Sequence, residues 1–135
     1  MKYTCLIIFC LSFGLSYTQD HLKYIDFSKL NLQFEDASAE LKPEYLPLVY
    51  RLADTLRKTP DMFVTIRGHV CCVNKNKLAK KRAKMVRYYL LHFGVSKDQI
   101  ATIGMRNSMP IASPEKTRED ELANMRVDFI ITRKQ

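Results

Sequence analysis

Leu30-Asn-Leu-Gln-Phe34 alternates apolar and polar side chains, a period of two that predicts a strand with one buried face. Ala37 to Leu41 breaks the alternation and reads as a loop. Pro43 suits the first turn of a helix, where its missing N–H would have no partner anyway. Leu46, Val49, Tyr50, Ala53 and Leu56 then recur at helical spacing until Thr59-Pro60 stops the run. Pro47 lies early enough in that helix to be tolerated.

From Met62 to Val70 the period returns to two, with Val64 and Ile66 on one face and Thr65, Arg67 and His69 on the other. Gly68 inside this strand predicts close approach by another backbone or a ligand. A second helix is predicted from Asn76 to Phe93, its buried stripe formed by Leu78, Met85, Val86, Tyr89, Leu90 and Phe93, with Gly94 placed as its cap. Ile100 to Ile103 makes a short strand, and Gly104 to Pro114 a loop. Acidic Glu119 to Glu121 opens a brief helix, and Val127, Phe129 and Ile131 alternate in a last strand. The order β-α-β-α-β-(α)-β predicts an α+β sandwich, its helices packed on one face of a mixed four-stranded sheet.

Ahead of the first strand the pattern changes. Lys2 precedes an uncharged apolar stretch from Cys5 to Leu15, and the small residues Ser16 and Thr18 stand before polar Gln19-Asp20. That succession predicts a cleaved secretory signal over residues 1–18, followed by a segment, 19–29, and one domain, 30–135. The apolar stretch falls short of the roughly 20 residues a membrane span requires. Neither Cys5 nor Cys10 follows a run of small residues, so no lipid anchor is expected, and the processed protein should be soluble and exported. Cleavage leaves only Cys71 and Cys72, which are adjacent and cannot staple distant parts of a fold. Burial must hold the core together.

Composition narrows this picture only a little. The 135 residues are 47% hydrophobic and 27% charged, the balance of a globular domain rather than a disordered chain. There is no internal repeat that would signal a solenoid. The formal charge of +8 favours anionic partners without selecting among them. Much of it is local: residues 62 to 97 hold nine Lys and Arg and no Asp or Glu. The run from Lys75 to Lys84 has the look of a nucleic-acid patch, but no aromatic residues interleave it and export would part it from nucleic acid. It reads as a solvated basic helix face that could attract an anionic wall or lipid at long range.

Several residues invite chemical readings. Arg82 stands apart from its basic neighbours because it lies four after Leu78 and four before Val86, on the apolar stripe, where an Arg is expected to have a partner. His69-x-Cys71-Cys72 crowds three metal-ligand types into four residues with no second cluster, which does not match structural-zinc spacing, so neither metal nor cofactor is expected. The vicinal pair Cys71-Cys72 is open to three readings: a disulfide, two small buried thiols, or a redox centre activated by nearby bases. No Gly-x-Ser-x-Gly, His-Glu-x-x-His or phosphate loop is present, and an enzyme is not expected.

Taken together, the motifs resemble a family. Phe34…Ala39-Glu-Leu-Lys-Pro43 is similar to the opening of an outer-membrane protein A-like (OmpA-like) C-terminal domain. Val64-Thr-Ile-Arg-Gly-His69 resembles that domain's second strand and its Gly-His-Thr-Asp signature. Leu78…Arg82-Ala83…Val86…Tyr89-Leu90…Gly94-Val95 is similar to its second helix. Ile103-Gly104…Pro110-Ile-Ala112 and Asn124-Met-Arg-Val127 resemble its last loop and strand. The resemblance covers Leu30 to Arg133.

It implies a periplasmic protein that holds peptidoglycan non-covalently by the diaminopimelate end of the stem peptide. A carboxylate would take the ligand's ammonium and a guanidinium its carboxylate, the latter bidentately. Carried over, the ligand-binding positions are Arg82, Cys71, Leu78 and Asn124. Arg82 matches the family Arg, and His69 matches a structural part of the turn. Cys71 stands where the family has Asp, Glu121 and Met125 where it has Arg. The loop from Cys71 to Leu78 is shorter by roughly one helical turn, so neither Asn74 nor Asn76 aligns safely with the family's loop Asn. The alternative left open is that the fold has become a protein–protein module in an envelope complex.

Overall fold

The computed structural model describes residues 25–72, 75–105 and 108–135, and the signal predicted over 1–18 lies outside the described residues. Its centre is strand β1, Met62–Gly68, whose residues alternate between buried and half-buried along its length. β1 pairs in parallel with β2, Ile100–Gly104, from Val64↔Ile100 to Gly68↔Gly104. On its other side β1 pairs antiparallel with β3, Val127–Arg133, from Met62↔Arg133 to Gly68↔Val127. The sheet order is therefore β2-β1-β3. A parallel neighbour requires a crossover, and helix α2, Asn76–His92, supplies it.

Helix α1, Leu46–Lys58, buries Val49, Leu52, Ala53 and Leu56 against the sheet beside α2. Gly68 explains how closely α2 sits: a Cβ there would collide with the Ala79 carbonyl of the helix backbone. The connection from α1 into β1 is held by Gln99, whose Nε2 donates to the carbonyls of Leu56 (2.9 Å), Thr59 (3.1 Å) and Met62 (2.9 Å). Helix α3, Arg118–Asn124, is longer than the acidic run predicts, and Thr117 and Asp120 close a capping box at its start.

Three expectations are corrected. Among the described residues the sheet has three strands, not four. Leu30 to Phe34 contributes one bridge, in which Leu32 and Val127 exchange backbone bonds of 2.8 and 3.1 Å. On one side a 3-10 turn at Phe27–Lys29 bends the chain away, and on the other Phe34 pairs locally with Leu41. The alternation still buries Leu32 and Phe34 as predicted. The buried stripe of α2 is Ala79, Arg82, Ala83, Val86 and Leu90, while Leu78, Met85 and Tyr89 lie half-buried on its flanks. Small Ala79 and Ala83 face the sheet because the helix approaches too closely there for larger side chains. Tyr50 is exposed on α1, with its ring edge against Phe93 (centroids 5.2 Å apart), and Ile131 is only partly buried.

Candidate functional site

β1 ends at Gly68, and the chain turns through buried His69 and Val70 into Cys71 and Cys72. The His69 N–H donates to the Arg126 carbonyl (2.8 Å), which pins this turn to the start of β3. Cys71 and Cys72 are joined to each other in a disulfide. Of the readings open in the sequence, that of two free buried thiols is the one this corrects, and position 71 carries no charge.

Facing the turn is the loop 110–115, and Asn124 governs its shape. Asn124 is the last residue of α3 and is buried. Its Oδ1 accepts from the N–H groups of Ile111 (2.7 Å) and Ala112 (3.0 Å). Its Nδ2 donates to the Ala112 carbonyl (2.8 Å) and to Glu115 Oε1 (2.6 Å). Those four bonds saturate the amide, so it fixes the loop and has no capacity left for a ligand. Between turn and loop opens a cleft of about 280 Å³ lined by Val70, Cys71, Pro110, Ala112, Ser113 and Glu115.

The structure thus brings Cys71 and Asn124 to one place, with Cys71 in the cleft wall and Asn124 behind it. Arg82 and Leu78 are not among the residues lining it. Arg82 is 3% exposed, and its donors meet backbone carbonyls: Nε to Ser38 (2.7 Å), Nη2 to Glu35 (3.2 Å) and Nη1 to Met125 (3.5 Å). Its guanidinium also stacks over Phe34, 5.1 Å from the ring centroid. Burial lowers its pKa, and Asp36 opposes that shift. The partner expected of an Arg on the apolar stripe is therefore the backbone of the 35–38 loop and of Met125.

A second charged group sits beneath the turn. Asp128 of β3 receives Arg67 bidentately, Nε to Oδ1 at 2.7 Å and Nη2 to Oδ2 at 3.0 Å. His69 Nε2 lies 3.0 Å from Oδ1, and Arg126 Nη2 lies 3.5 Å from Oδ2. Burial would raise the Asp128 pKa, but the contacts from His69 and Arg67 outweigh it and hold the carboxyl below its ordinary value. This cluster ties β1 to β3 directly under His69, which fits the structural role that the resemblance implies for that residue. Spacing alone gives no sign of it, since Asp128 lies on the polar phase of a half-buried strand and its register against Arg67 exists only once β3 has paired. Glu115 is likewise unmarked in the sequence.

Along α2, Lys77, Lys80, Lys81 and Lys84 are exposed and form no ion pair among the described residues, and the stem of Lys80 packs over Gly104 of β2. A larger hollow of about 500 Å³ lies at the opposite end of β1, between Asp26, Arg51, Asp54, Met62 and Arg133. It carries charges of both signs, and Asp54 there already pairs with Arg57 (3.1 Å) and Lys58 (2.7 Å). Among the described residues no group of three or more His, Cys, Asp or Glu is placed to hold a metal ion. No helix among them is long and apolar enough to cross a membrane.

Relatives share this architecture. The chain is 36% identical over 104 residues to the peptidoglycan-binding protein ArfA of Mycobacterium tuberculosis, a match covering 74% of this chain and 32% of that one. It is 28% identical over 105 residues to outer membrane porin F of Pseudomonas aeruginosa, covering 74% and 30% respectively. The chain thus spans about a third of the length of the curated relatives it matches. Its fold is that of the peptidoglycan-associated lipoprotein from Burkholderia pseudomallei, with a TM-score of 0.71, 24% identity, and coverage of 77% of this chain and 91% of that one. The C-terminal domain of Helicobacter pylori MotB superposes with a TM-score of 0.68 at 23% identity, covering 78% and 85%. Residues 33–124 match the OmpA family, which takes in both walls of the cleft, α2 and α3: this chain belongs to the OmpA family.

Proposed function

We propose that this chain is an exported OmpA-family protein of the cell envelope that binds peptidoglycan non-covalently, through the stem peptide, in the cleft between the Cys71 turn and the 110–115 loop. The observation that carries the reading is the loop itself. Asn124 spends all four of its hydrogen bonds shaping a surface segment over an open cleft, an arrangement that contributes little to the core and suits a preformed binding wall. Family membership and a relative named for peptidoglycan binding support the same ligand. The secretory signal read over 1–18 supports delivery to the periplasm. The function is binding, not catalysis, and it needs neither metal nor cofactor.

A specific observation favours the alternative, a protein–protein module. Arg82, which the resemblance assigns to the ligand carboxylate, has its donors engaged by carbonyls, and Cys71 offers no charge. Within the peptidoglycan reading, Arg82 and Asn124 serve as positioning residues, Cys71 as cleft wall, and Leu78 as packing on the flank of α2.

Co-sedimentation with purified sacculi decides between the two. Retention that survives at about 0.5 M salt, where the Debye length is only about 4–5 Å, and that is unchanged by Lys80→Ala with Lys84→Ala is the expected result. Retention lost in salt, or lost with those lysines, would indicate adsorption by the basic face. No retention at any salt concentration would leave the interaction-module reading.

A further inference from the structure

Glu115 supplies the only charge among the described residues that line the cleft, the others being Val70, disulfide-bonded Cys71, Pro110, Ala112 and Ser113. Its Oε1 is held at 2.6 Å by Asn124 Nδ2, and Asn124 is itself fixed by three further bonds to the loop backbone. The carboxylate is thereby oriented by a buried, saturated amide while remaining exposed to solvent. No hydrogen bond to Oε2 is present among the described residues. A carboxylate fixed through one oxygen, in a cleft where no described residue contributes a basic side chain, is suited to an incoming cation that donates hydrogen bonds.

We infer that Glu115 receives a primary ammonium of the ligand in place of residue 71, and that the cleft reads this ammonium without reading a neighbouring carboxylate. The inference builds on the peptidoglycan reading, which supplies a stem peptide with a free side-chain amine. It alters the specificity expected of that reading. With Arg82 engaged at Ser38, Glu35 and Met125, no guanidinium among the described residues lines the cleft to grip the ligand's carboxylate. The site then accepts any diamino acid whose amine reaches Glu115 on an apolar stem, with lysine and diaminopimelate held alike. Pro110, Ala112 and Val70 provide the apolar walls for that stem.

The test uses the processed full chain and three synthetic tripeptides, L-Ala-D-γ-Glu followed by diaminopimelate, by lysine, or by Nε-acetyl-lysine, in calorimetry at about 0.1 M salt. Glu115 is exposed, so solvent screens the pair, and loss of its charge should weaken binding only about three- to tenfold. Glu115→Gln keeps an oxygen for Asn124 Nδ2 and removes only the charge, so the loop should hold its shape and the melting temperature should stay unchanged. The expected result is equal affinity for the two free-amine peptides, a three- to tenfold loss on acetylation, and a Glu115→Gln variant that binds all three alike at the weaker level. A variant that keeps the full preference for the free amine would overturn the inference while leaving stem-peptide binding intact. Preference for diaminopimelate over lysine by more than tenfold would overturn the claim that the carboxylate goes unread. If the wild type binds neither the peptides nor sacculi, the peptidoglycan reading itself fails and takes this one with it.

Discussion

Replacing Arg82 by Ala tests whether this residue holds the fold together. Two of its bonds are charge-assisted, a short one from Nε to the Ser38 carbonyl at 2.7 Å and a longer one from Nη2 to the Glu35 carbonyl at 3.2 Å. Truncation costs roughly 1.5–3 kcal/mol at the part-buried Ser38 carbonyl, which loses its donor, and less at Glu35, whose carbonyl keeps the Ser38 N–H at 3.2 Å. The bond to Met125 at 3.5 Å is at the limit of useful geometry and adds little. Stacking over Phe34 at 5.1 Å contributes about 0.5–2 kcal/mol more. Against this, the Ala variant no longer carries the cost of burying a guanidinium, which is several kcal/mol before compensation. The net loss should be on the order of 2–4 kcal/mol, a large share of the 5–15 kcal/mol typical of a domain.

Urea unfolding followed by circular dichroism measures this directly. Arg82→Lys should recover less than half of the loss, because one ammonium nitrogen on a flexible stem cannot reproduce the planar fork whose three nitrogens each meet a different carbonyl. A loss below about 1 kcal/mol for Arg82→Ala would refute the reasoning, since it would mean that water satisfies those carbonyls as well as the guanidinium does.

Phe129 is 2% exposed in the central core, and Phe129→Ala should cost about 3–5 kcal/mol in the same urea assay; a shift of the melting temperature by a degree or less would contradict that burial. Gly68→Ala would drive its Cβ into the Ala79 carbonyl, and the variant should lose at least about 1–3 kcal/mol, with stability near wild type showing that α2 can withdraw without cost. Asp128 has a folded pKa below its unfolded value near 4, so its contribution is complete above about pH 5 and is lost as the pH falls through the folded value. The stability gap between wild type and Asp128→Asn, measured by urea midpoints, should therefore be widest at neutral pH and narrow below about pH 4, whereas a gap independent of pH would place the carboxylate outside the cluster.

The sequence by itself determined the secondary elements and most of the core. Period-two runs place Val64, Ile66, Val127 and Phe129 inside because side chains of a strand alternate strictly; Pro43 opens the 3-10 turn that leads into α1, and Thr59-Pro60 and Gly94 end the helices through local backbone chemistry. Local pattern could not decide how those elements meet. It predicted a fourth strand where only Leu32 bridges Val127, because pairing depends on where the flanking turns carry the chain rather than on alternation. It chose the bulky flank of α2 as the buried stripe, whereas backbone contact at Gly68 leaves room only for Ala79 and Ala83. The position of Arg82 on an apolar face was legible, but its carbonyl partners at Ser38, Glu35 and Met125 lie more than 40 residues away along the chain. The cleft charge at Glu115 was likewise invisible until α3 folded and Asn124 drew the loop back over the Cys71 turn, because its meaning comes from what surrounds it in space and not from its neighbours in sequence.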